Sequence, residues 1–145
     1  MAICPRVSTS EPVFANATYL LPGLPSLSVR PSSTGSAFAT SISRDIQGVD
    51  AGIALANISD AAASVSLSLI DSGGRELVAS VVTLAPGQQL NRFLSEAIPN
   101  APNKFSGTLQ IQVLANAFRP PALLAATVIE FDGGNLREVP WTLVR

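Results

Sequence analysis

The chain has 145 residues, 47% of them apolar and only 13% charged, with a net charge of −1; that is one domain's length, enough to bury a core, with about half the usual charged share. Its nine basic residues stand singly, which excludes the clustered footprint of a nucleic-acid binder. No apolar run reaches a membrane span, because Pro22, Gly23 and Pro25 interrupt the longest candidate, Tyr19 to Val29. Histidine is absent and Cys4 is the only cysteine, so neither an internal disulfide nor a Cys/His metal site is available, and no cofactor is expected.

Residues 1 to 36 carry five of the eleven prolines, at positions 5, 12, 22, 25 and 31, among many Ser and Thr. Proline removes the backbone donor that a central strand needs, so this segment is expected to be an extended arm or an edge element. Met1-Ala2-Ile3-Cys4 shows no basic stretch followed by an apolar one, so no signal peptide is legible. Within the arm, Val13 to Leu21 is the plausible strand. Val13, Ala15, Ala17, Tyr19 and Leu21 share one face of it by alternation, which makes them the candidate subunit-contact residues. Two readings stay open for the arm: it folds onto its own domain, or it docks on a neighbouring copy.

The domain proper is expected over residues 37–145. Ala37 to Ile46 reads as a strand with Phe38, Thr40 and Ile42 on one face, and Val49 to Ile58 as a second. Val65, Leu67 and Leu69 alternate with Ser64, Ser66 and Ser68. Asp71-Ser72-Gly73-Gly74 then turns the chain into Glu76 to Leu84, which makes a hairpin. After Ala85-Pro86-Gly87-Gln88, the spacing of Leu90, Phe93, Leu94, Ala97 and Ile98 predicts a short helix that Pro99 ends. Phe105 to Val113 alternates most cleanly, Leu123 to Phe131 is apolar almost throughout, and Asp132-Gly133-Gly134-Asn135 turns into Leu136 to Val144. Strands at this spacing, without crossover helices, predict an all-β antiparallel sandwich of about seven strands.

The order GIALANIS, SVSLSLIDSGG, TLAPGQQLNRFLSE and FSGTLQI resembles a repeated module of large secreted or surface proteins of environmental bacteria. The likeness covers roughly residues 52–111. It implies an Ig-like β-sandwich with a structural or adhesive role and an extracellular or cell-surface location, and it transfers no catalytic residue.

The residues themselves offer little chemistry. Without histidine a serine nucleophile lacks its usual base, and Lys104, the only lysine, sits in an apparent surface loop. Glu130 and Asp132 have strand spacing and are the one candidate carboxylate pair. Asp60, Asp71 and Asp132 fall in turns where calcium ligands gather, but none lies in a D-x-D-x-D-G loop. Tyr19 and Trp141 are the aromatics with a polar handle for a sugar. The sequence therefore predicts a protein that is not an enzyme. Its expected role is a structural subunit that pairs with copies of itself by adding its N-terminal strand to a neighbour's sheet edge, giving a filament. The alternative is an adhesion or carbohydrate-binding domain with a glycan or cell-surface ligand.

Overall fold

The computed structural model describes residues 17–19, 27–29, 34–116 and 120–144. They form a sandwich of two antiparallel sheets with a separate two-stranded ribbon. The ribbon pairs β1 (Ala17–Tyr19) with β2 (Leu27–Val29). The remaining elements are β3 (Thr34–Gly35), β4 (Ala37–Arg44), β5 (Val49–Asn57), β6 (Ala63–Ile70), β7 (Glu76–Leu84), β8 (Gln89–Phe93), α1 (Leu94–Ala97), β9 (Phe105–Val113), β10 (Leu124–Asp132), β11 (Asn135–Val139) and β12 (Thr142–Leu143). Sheet I has the order β11-β10-β5-β8, with β3 also on β10, and sheet II the order β12-β4-β9-β6-β7.

The alternation read from the sequence sets which side chains meet between the layers. Phe38 and Ile42 of β4, Leu67 and Leu69 of β6, and Leu109 and Ile111 of β9 face Ile53 and Leu55 of β5 and Leu124 and Val128 of β10, all of them buried. Each such side chain contributes about 1.5–3 kcal/mol by leaving water. Leu94, Ala97 and Ile98 close the core beside β5 and β8.

Two local features differ from the sequence expectation. Gln89–Phe93 is a strand rather than the start of a helix, because it pairs with β5, placing Leu90 opposite Leu55. Tertiary pairing outweighs local spacing there, and only one helical turn remains, started by the Phe93 amide donating to Glu96 Oε2 at 3.0 Å. The expected last strand splits in two at Pro140, so that β11 lies in sheet I and β12 in sheet II. Proline has no amide to give a ladder; its carbonyl instead accepts the Thr40 hydroxyl at 2.7 Å. Together with the two-residue β3 on β10, these additions raise the sandwich from about seven strands to ten.

Candidate functional site

The sequence motifs are structural knots. At the end of β5, Asn57 is 1% exposed. Its Nδ2 donates to the carbonyls of Ala61 at 2.8 Å, Leu84 at 3.0 Å and Ala85 at 3.3 Å, and its Oδ1 accepts the Ser59 amide at 3.0 Å. Its backbone pairs with the arch that follows β7, the Asn57 amide donating to Gln88 and its carbonyl accepting from Gly87. Gly87 makes the arch possible with φ 71°, a conformation other L-residues resist. The GIALAN and LAPG segments are thus one joint between the layers. Phe105 and Gly107 form another: a Cβ on Gly107 would meet the Ile70 carbonyl oxygen and the Phe105 ring.

The candidate chemical groups are dispersed. Asp60 lies at the end of the sandwich where β5 leaves for β6, whereas Asp71 and Asp132 lie at the opposite end, in the β6–β7 and β10–β11 tips on different sheets. No group of three His, Cys, Asp or Glu side chains among the described residues is placed to hold a metal ion. Asp71 serves its own turn: its Oδ1 accepts the Arg75 amide at 3.0 Å and the Gly73 amide at 2.9 Å. The Arg75 backbone N–H is the main cause that holds its carboxyl below the ordinary value, with the Gly73 amide and the Arg75 charge adding to it.

Glu130 is not the wet strand-end residue that its sequence position suggests. It shares the inward face with Leu124, Ala126 and Val128, and it is 9% exposed. Its carboxylate takes the Arg137 guanidinium at 2.8 Å and the Ser43 amide at 3.3 Å, while Asp132 is exposed. Lys104, exposed as expected, borders a shallow open depression of about 260 Å³ with Arg44, Asp45 and Phe105. That is smaller than ordinary ligand pockets, and Arg44 is already committed to Asp50 and to the carbonyls of Ala101 and Pro102. Trp141 packs edge-on against Phe38 at 5.6 Å, with its buried Nε1 lacking a hydrogen-bond partner.

The sheet edges differ sharply from one another. β12 has two residues; β8 has five and carries Arg92; β11 has five, carries Arg137 and Glu138, and has β2 running beside it. β7 has nine residues, pairs on one side with β6, and among the described residues pairs with nothing on the other. After Glu76 its sequence is LVASVVTL, without charge or proline. Val81 is 59% exposed and Leu77 38% on its outer face, and Val78 and Val82 are only partly covered on its inner face. Natural sheets blunt such edges with shortness, charge, proline or a cover. The first three edges have at least one of these protections; beyond its first residue, β7 has among the described residues only the register shift opposite Leu69 and Ile70.

Of the candidate contact residues, Val13, Ala15 and Leu21 lie outside the described residues. Ala17 and Tyr19 are in β1, where Ala17 pairs with Val29 and Tyr19 with Leu27. The ribbon neighbours β11, on the flank of the sandwich opposite β7. Sequence reasoning missed the edge position of β7, since nothing local distinguishes an edge strand from an interior one. Comparison with family models, with curated proteins and with solved structures found no match to this chain.

Proposed function

We propose that this protein is a non-enzymatic structural subunit of an extracellular assembly, joined to further copies by strand addition at β7. The nine-residue edge, which pairs with nothing on its outer side among the described residues, carries the reading: an added strand satisfies its outward N–H and C=O groups and covers Val78 and Val82. The donor is the neighbour's Val13 to Leu21 strand, whose alternating Val13, Ala15, Ala17, Tyr19 and Leu21 suit that half-covered face. Its described part is held in its own chain by a ladder of only three residue pairs, in a ribbon that lies beside β11, and a two-stranded ribbon is a weak unit for a nine-residue edge to compete with. Donor and acceptor on opposite flanks make the contact head-to-tail, and such contacts extend rather than pair off.

The test is full-length protein carrying Ser80→Lys, which points a charge inward from the edge beneath any added strand, compared with the parent by light scattering and electron microscopy. The parent is expected to form filaments and Ser80→Lys to form none. A parent that stays monomeric, or filaments that persist in both Ser80→Lys and a deletion of residues 1–30, defeats the reading.

A further inference from the structure

The outer face of sheet II carries no charge in a chain with 19 ionisable Lys, Arg, Asp and Glu residues. The registers set Ser66 beside Gln112 and Ser68 beside Gln110 across β6 and β9, and Thr108 beside Ser41 across β9 and β4. The remaining outward positions, from Leu77 to Thr83 on β7, from Ala37 to Ser43 on β4, Ser64 and Ile70 on β6 and Ser106 on β9, are likewise uncharged. Charged side chains begin only at the rim, with Arg75 and Glu76 at one corner. The outer face of sheet I differs, since Asp50 and Glu138 stand on it.

We propose that this neutral face is a second self-interface, on which the same face of another copy packs sheet to sheet. The occupant follows from the chemistry of the face. Hydroxyl and carboxamide groups each donate and accept, so the surface complements itself across a two-fold axis, and neither copy has a charge to desolvate or repel. Loss of charged residues at the centre with charges at the rim is the anatomy of a protein interface. Four long strands and the short β12, at about 4.8 Å spacing and about 26 Å length, present roughly 500 Å² per copy. Two copies therefore bury about 1,000 Å², the size of a weak specific contact. Exposed Val81 and Leu77, spaced along β7, line one margin with the apolar surface that such packing covers.

This contact is independent of strand addition, and its test is made on full-length Ser80→Lys protein so that edge pairing does not contribute. Gln110, on the central strand between Ser68 and Ala39, is changed to Glu or to Lys, and association is followed by analytical ultracentrifugation over a concentration series. Ser80→Lys alone is expected to dimerise. Adding Gln110→Glu or Gln110→Lys weakens the dimer by at least tenfold, with unchanged thermal melting. Mixing the Glu and Lys proteins restores it. Ser80→Lys protein that is monomeric at millimolar concentration, Gln110→Glu protein that dimerises as well as its parent, or a mixture that fails to recover overturns the proposal. Failure of strand addition shows separately, as equal filament content in the parent and in Ser80→Lys.

Discussion

Replacing Asn57 tests whether the joint between the layers is held as described. Its two Nδ2 hydrogens are shared among the three carbonyls of Ala61, Leu84 and Ala85, and its Oδ1 holds the Ser59 amide. Asn57→Ala strips partners from these groups where water enters poorly. At about 1 kcal/mol for each bond lost, plus the penalty for a buried acceptor left unpaired, the cost is about 2–4 kcal/mol. With a urea slope of about 1–3 kcal/mol per molar, the midpoint falls by about 1–2 M. Asn57→Asp keeps the shape but replaces donors with an oxygen facing carbonyl oxygens, so at pH 7 it is expected to cost more than Asn57→Ala. Burial among acceptors raises the folded carboxyl above its unfolded value, and between the two values the native state binds more protons. Stability of this variant therefore falls as pH rises through that window, and its deficit shrinks on acidification. Urea melts followed by Trp141 fluorescence at pH 7 and pH 4.5 measure both effects. If Asn57→Ala lies within about 0.5 kcal/mol of the parent, or Asn57→Asp is no worse than Ala at neutral pH, the proposed knot is not what holds this end together.

Two glycines in adjacent layers separate backbone crowding from side-chain crowding. A Cβ on Gly107 meets a carbonyl oxygen that cannot move without breaking the sheet, whereas one on Gly52 meets the ring of Phe131 at 3.1 Å, a partly exposed side chain whose neighbour, Phe93, is itself exposed. Gly107→Ala is expected to lose about 1–3 kcal/mol by overpacking, and Gly52→Ala to lie within about 1 kcal/mol of the parent because reduced unfolded-state freedom offsets the smaller clash. Chemical denaturation decides it, and a larger loss at Gly52 would invert the reasoning. In the β6–β7 tip, the Asp71 carboxyl is expected to titrate below 3.8, chiefly because the Arg75 amide donates to its ionised form. Order in this turn is then complete above the unfolded value and lost as pH falls through the lower folded one. The Arg75 amide shift in NMR should follow the same midpoint, and a midpoint at or above 3.8 counts against the assignment.

The strands whose bounds the sequence placed best are those with one buried face. Glu76–Leu84 and Phe105–Val113 agree end to end with the expected runs, the first because a turn and a β-rich run bound it, the second because alternation at period two is the physical signature of a half-buried strand. Leu90 and Phe93 misled because their spacing also suits a helix, and only the proximity of β5, distant in sequence, decides for a strand. Pro140 marked a break that the reading passed over. Glu130 was legible in principle, since alternation from Leu124 through Ala126 and Val128 points it inward, but its partner Arg137 is seen only once β11 pairs with β10. The openness of β7 had no local signal at all: it depends on β6 lying between β7 and β9.

The hairpin of β6 and β7 needs only the short Asp71–Arg75 connection, while β5 must find β10 and β4 must find β9 across long stretches of chain. Closing long loops is slow and local turns are fast. The hairpin is therefore expected to form first with both its margins open, β9 then sealing the β6 side alone. The β7 margin stays available from the earliest moments of folding onward, so newly made chains at high concentration compete between maturing singly and capturing one another, and refolding yield should fall steeply with protein concentration.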